Sequence, residues 1–133
     1  MGRKILAVVV SLIGATAVIM IVEMVNSFQF APPSPEVMGD PQKLREFMAA
    51  GPAAAYGVVL FGYALGAFVA GFVVTKMSRQ VGGGFALSLF DGIILTALGV
   101  VNFLMLPGQP MWFMIAALII FVPLSLLGNR LAR

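Results

Sequence analysis

This sequence predicts an all-α fold: a four-helix transmembrane bundle with a short amphipathic helix in the loop between helices 1 and 2. Two observations carry that expectation. The 133-residue chain is 61% hydrophobic and 10% charged, with a mean hydropathy of +1.06, whereas soluble domains carry about a quarter charged residues. Its apolar residues also gather into four long runs, at 5–25, 53–74, 85–106 and 111–127. Each approaches the roughly 20 residues that a helix needs to cross a hydrocarbon layer of about 30 Å. Strands cross only as a closed barrel of alternating polar and apolar residues, and stretches such as 5–10 and 115–122 are apolar on every side. The chain is read as a single transmembrane domain.

Helix 1 begins after Arg3 and Lys4, and Ala15-Thr16-Ala17 within it imitates a secretory cleavage site. The apolar run continues past that triplet, so an uncleaved anchor is expected. Leu6 stands where a myristoylation signal wants Ser or Thr, which argues against lipidation. The outer loop, 27–52, has two halves. Ala31-Pro32-Pro33-Ser34-Pro35 cannot continue a helix, because proline lacks the donor and clashes with the preceding turn, so an extended exit is predicted. Asp40 then offers an N-cap, Pro41 a first helical position and Gly51 a stop. Leu44, Phe47 and Met48 share one face of the resulting helix, which is expected to close the end of the bundle. A gate or a partner-docking surface is the other reading of that face.

Helix 2 carries Gly62, Gly66 and Ala70 at intervals of four, with Ala67 and Gly71 one face along. Small residues at this spacing allow close backbone approach in lipid, and a seam within the chain is favoured over a homodimer seam. Helix 1 has a weaker version in Ala7, Ser11 and Ala15. Gly82-Gly83-Gly84 makes the next connection pliant. Helix 3 places Ser88, Asp91 and Asn102 on one stripe, and the Thr96 hydroxyl is expected to bond the Gly92 carbonyl within the helix. A charge facing lipid costs at least about 2.5 kcal/mol, so Asp91 is expected to face protein, with Ser11 or Arg79 as its structural partner. Pro107-Gly108-Gln109-Pro110 makes helices 3 and 4 antiparallel neighbours, and Pro123 is expected to bend helix 4.

Counting along the helices puts Glu23, Tyr56 and Asn102 at one level near the outer boundary, where a three-helix polar cluster is expected. Tyr56 and Trp112 are read as rim aromatics there. Tyr63, near mid-bilayer, needs a hydroxyl partner, and Thr16 lies at similar depth. Arg3, Lys4, Lys76, Arg79, Arg130 and Arg133 belong to one side, which places both termini in the cytoplasm. These cations account for most of the net charge of +3, and their scatter argues against nucleic acid as a partner. The chain has no cysteine and no histidine, which excludes thiolate chemistry, haem ligation by histidine and the usual zinc sites. No cofactor and no metal site is expected.

Val22-Glu23-Met24, the Pro-rich exit with Asp40-Pro41, the segment from Tyr63 through Ala67 to Gly71, and Trp112-Phe113 at the start of helix 4 carry a resemblance. Together they resemble a group of small, uncharacterised four-helix bacterial integral membrane proteins. That resemblance implies a bacterial inner-membrane location and brings no activity. Length, pass number and a glutamate in helix 1 are also similar to small multidrug-resistance exporters, from which the late position of Glu23 and the long outer loop depart.

Three functional expectations follow. The first is a non-enzymatic bundle that assembles with itself or with a larger membrane complex. The alternative is a proton-coupled or passive small-solute transporter using Glu23 and Asp91, since an acid without charge is a natural proton carrier in a membrane. An intramembrane enzyme or lipid-binding protein comes last, because no base, nucleophile and orienter occur together.

Overall fold

The computed structural model describes residues 2–29, 34–105 and 109–133. All its elements are helices: α1 (Gly2–Gln29), α2 (Pro35–Met38), α3 (Pro41–Ala49), α4 (Ala53–Met77), α5 (Gly84–Met105) and α6 (Met111–Ala132). The long helices α1, α4, α5 and α6 are each long and apolar enough to cross a membrane. At about 1.5 Å per residue, the 28-residue α1 is about 42 Å long, longer than a hydrocarbon layer is thick.

Burial runs opposite to that of a soluble domain. Ile5, Ile13, Phe61, Phe90, Leu104 and Ile119 are exposed, while Ala7, Ala15, Ala67, Ala70, Ala117, Ser11, Ser88 and Ser125 are wholly buried. Large apolar side chains outside and small residues inside are what lipid demands, because helices there are held by close packing rather than by burial of apolar surface. The chain is a multi-pass membrane protein.

Helix α4 is the hub. It packs on α1, α5 and α6, α5 packs on α6, and α1 touches α5 only slightly. The small residues of α4 serve two seams inside the chain. A Cβ at Gly62 would lie 2.9 Å from Val22, and one at Gly66 would lie 2.7 Å from Ile19, so α1 fills these two notches. A Cβ at Gly71 would lie 1.8 Å from the Ser125 carbonyl oxygen, and one at Gly128 would lie 2.2 Å from that of Phe68. At that crossing α4 and α6 touch backbone to backbone. Gly92 plays the same part where α5 meets Val122.

The half of the bundle beneath the outer loop, here the loop half, is filled by aromatics. Phe113, 1% exposed, has its ring centroid 5.0 Å from Tyr56, 6.0 Å from Tyr63 and 5.9 Å from Phe103. Helix α3 closes this end as expected, capped by Asp40, whose carboxylate accepts from the backbone N–H groups of Gln42 and Lys43. Leu44 is buried and Met48 packs on the core. Phe47 stays exposed. The Tyr56 hydroxyl donates to the Met48 carbonyl, and Gly51 leaves room for its ring, since a Cβ there would sit 3.0 Å from Tyr56.

Several boundaries differ from expectation. Helices α4 and α6 run on to Met77 and Ala132, because Lys76 and Arg130 in their last turns are good helix formers and suit a helix C-terminus. Pro35 starts a short helix with Ser34 as its cap instead of extending the exit. Residues 31–33 of that exit, and residues 107–108 of the turn between helices 3 and 4, lie outside the described residues. Gly82 and Gly83 are committed to φ of +78° and +81°, a left-handed turn that only glycine enters freely. Pro123 is accommodated within a continuous α6.

The crossing predicts a contrast. Gly71→Ala and Gly128→Ala are each expected to cost about 1–3 kcal/mol or more by forcing two backbones apart. Gly57→Ala, whose Cβ meets nothing within 4 Å, is expected to be neutral or to stabilise α4 by up to about 1 kcal/mol. Reversible unfolding in detergent, followed by circular dichroism, separates them. Tyr56→Phe is expected to leave helix content unchanged while speeding proteolytic cleavage within residues 34–52.

Candidate functional site: a buried acid and a polar clasp

In the half of the bundle nearest the chain termini, helices α4, α5 and α6 converge on a set of buried polar side chains. Asn129, 2% exposed, donates from Nδ2 to the Thr75 hydroxyl over 2.8 Å. The Thr75 and Ser88 hydroxyls are 3.1 Å apart, and Ser88 donates to the Gly71 carbonyl over 3.3 Å. With Ser88 committed to that carbonyl, Thr75 is the donor of the pair. Donation thus runs one way, from Asn129 to Thr75 to Ser88 to Gly71. Ser125 closes the clasp by donating to the Ser88 carbonyl over 2.7 Å. The missing side chains at Gly71 and Gly128 bring these groups within reach.

One helical turn beyond Ser88, on the same face of α5, lies Asp91, 0% exposed. Its Oδ2 is 2.6 Å from the Ser11 hydroxyl of α1, and its Oδ1 is buried with no hydrogen-bond partner. Ser11 is also 2.9 Å from the Val8 carbonyl oxygen. A serine has one proton to give. Ser11 therefore shares its proton between Asp91 Oδ2 and the Val8 carbonyl, unless the Asp91 carboxyl carries a proton of its own and donates it to Ser11.

The clasp borders a cavity of about 200 Å³ at the terminal end, lined by Thr75, Ser78, Arg79, Asn129 and Arg133 among others. Towards the loop, the core above Asp91 closes in Leu95, Phe121, Tyr63 and Phe113. Ser88 of the clasp stands one turn from Asp91, which does not itself line the cavity.

The sequence-predicted residues separate into two groups. Ser88 and Asp91 come together on the inner face of α5, with Ser11 as the partner of Asp91, while Arg79 lines the cavity instead. Thr96 bonds Gly92 over 2.8 Å. The cluster of Glu23, Tyr56 and Asn102 does not form. Because Val22 seats in the Gly62 notch, Glu23 lies near the level of Gly62, six residues or about 9 Å below Tyr56. Its side chain is exposed on the flank of α1, within electrostatic reach of Tyr63. Tyr56 is a buried latch on α3 rather than a rim aromatic, whereas Trp112 is 49% exposed. The Tyr63 hydroxyl accepts from Asn102 Nδ2 at 3.4 Å, and Thr16 is exposed.

Thr75, Ser125, Asn129 and Asn26 were not expected as site residues. Asn26 donates to the Ala55 carbonyl over 3.2 Å. Ending helix 4 at residue 127 left Asn129 outside it. Phe121, Ser125, Gly128, Asn129 and Ala132 share one helical face by spacing, and that is the signal that finds them. Among the described residues, no group of three or more acids could hold a metal ion.

Comparison with known protein families, curated proteins and solved structures finds no match. The chemistry of the buried groups therefore carries the functional argument.

If the clasp is one unit, Thr75→Val and Asn129→Leu are each expected to cost about 1–3 kcal/mol. The double variant should lose clearly less than the sum, because both changes remove the same hydrogen bond. A double-mutant cycle on unfolding in detergent measures this coupling.

Proposed function

We propose that the chain is a small non-enzymatic membrane protein that takes up and releases a proton at Asp91, as the coupling site of a proton-linked solute carrier. The burial of Asp91 is the observation that carries this reading: its Oδ1 has no hydrogen-bond partner, and its Oδ2 shares the single Ser11 proton with the Val8 carbonyl, a shortfall that a protonated carboxyl removes. A neutral acid also needs no counter-ion in a dry bundle, whereas an unpaired buried carboxylate is costly. The cavity at the terminal end supplies the side from which a proton arrives, and Arg79 and Arg133 at its wall disfavour a metal cation on the same route. With Arg3, Lys4, Lys76, Arg79, Arg130 and Arg133 at one end of the bundle, that end faces the cytoplasm of a bacterial cell under the positive-inside rule.

Assembly with further copies or with a larger complex is a second reading, favoured by one observation. Glu23 and Thr16 stand on the exposed face of α1 beside Ile13 and Met20, and a carboxylate is poorly placed against lipid. Gly62 and Gly66 lend this reading nothing, since α1 of the same chain occupies them. Glu23→Leu is expected to lower the mass of the detergent-solubilised particle, and an unchanged mass removes this second reading.

Infrared difference spectra between acid and alkaline buffer test the first reading directly. The wild-type chain is expected to show a buried-acid carbonyl stretch apart from those of the four other acidic side chains, and Asp91→Asn is expected to lose that band while keeping its fold. In proteoliposomes, solute flux driven by a pH gradient should vanish in Asp91→Asn and persist in Glu36→Gln, whose side chain lies in the outer loop. A spectrum unchanged by Asp91→Asn sinks the proposal.

A further inference from the structure

We infer that the cavity at the terminal end binds a phosphate-bearing anion, either free phosphate or the headgroup of a phospholipid. This does not depend on the proton chemistry of Asp91. The cavity has a volume of about 200 Å³, room for a phosphate with some of its hydration. Two guanidinium groups, Arg79 and Arg133, line it together with the Thr75 and Ser78 hydroxyls and the Asn129 amide. A third cation stands at its edge, for Lys4 Nζ lies 3.3 Å from where a Cβ of Gly83 would be. Guanidinium groups match phosphate oxygens with paired donors and hold them more tightly than point charges do.

The surroundings select an anion. Of the five acidic side chains in the chain, Glu36, Asp40 and Glu46 belong to the loop end, Glu23 is on the flank of α1 near Tyr63, and Asp91 is buried beyond the clasp. None lines the cavity. Asn129 is held by its bond to Thr75, so the polar floor is rigid before any ligand arrives. The first backbone N–H groups of α5, beginning at Gly84 in the same wall, have no carbonyl one turn earlier and add their dipoles to the positive field. Phe85, exposed beside this wall, gives an acyl chain an apolar surface next to the charged group. Depth is consistent too, because the cavity sits at the ends of α4 and α6, at headgroup level.

Two measurements on the full chain in maltoside micelles test the site. Inorganic phosphate is titrated by calorimetry, and phosphatidylglycerol is compared with diacylglycerol for retention in native mass spectrometry. The double variant Arg79→Gln, Arg133→Gln is expected to weaken binding by about tenfold or more, the scale of lost charge-assisted hydrogen bonds. Lys76→Gln with Arg130→Gln removes the same charge outside the cavity and is expected to change binding little. Phosphate binding with this pattern identifies a soluble anion. Selective retention of phosphatidylglycerol without phosphate binding identifies a lipid headgroup. Failure of both probes to bind overturns the inference, as does equal weakening by the two double variants or unweakened binding in the cavity variant.

Discussion

Backbone-to-backbone contact between α4 and α6 is the constraint on which the rest of this bundle depends. Gly71 meets the Ser125 carbonyl and Gly128 meets the Phe68 carbonyl with no room for a side chain between them. In lipid, where apolar surface gains little by touching apolar surface, such an approach replaces the hydrophobic effect as the source of cohesion. It also sets the spacing of everything nearby. Only at this separation can Asn129 of α6 reach Thr75 of α4, and Ser125 of α6 reach the Ser88 carbonyl of α5. Close packing and polar bonding are thus one device.

The two halves of the bundle are built from different chemistry. Tilted and edge-on aromatics around Phe113 fill the loop half, and Tyr56 ties α3 down over them. The terminal half uses glycine, alanine and serine, and places hydroxyls and an amide where the helices come closest. A bundle sealed by rings at one end and lined with donors at the other is asymmetric along the membrane normal. Asp91 lies at the junction. Helix α1 docks on α4 through Val22 and Ile19 and meets α5 through the contact between Ser11 and Asp91.

How much was legible in the sequence depended on the range of each interaction. The Asp40 cap, the bond from Thr96 to Gly92 and the inward stripe of Ser88 and Asp91 all rest on residues within about one or two turns, where helix geometry leaves little choice. Ser11 could be named as a partner for Asp91 because depth counting suffices to match two neighbouring helices. The same counting misplaced Glu23. It assumed that helices align at their ends, whereas Val22 and Ile19 lock into Gly62 and Gly66 and so set the register of α1. The clasp stayed hidden because Asn129 lies beyond the point where hydropathy alone ends helix 4, although α6 continues to Ala132.

By itself, then, the sequence determined the number of spans, their helical nature and the inward direction of Asp91. Bilayer thickness sets segment length, unsatisfied backbone is intolerable in hydrocarbon, and an acid facing acyl chains is costly. Only the tertiary structure decided which helices pair, at what register, and which hydroxyls and amides meet. Those outcomes turn on steric fit of a fraction of an ångström between glycine notches and the side chains or carbonyls opposite them. No local pattern of hydropathy records such a fit, because many pairs of small-residue faces could satisfy the same pattern.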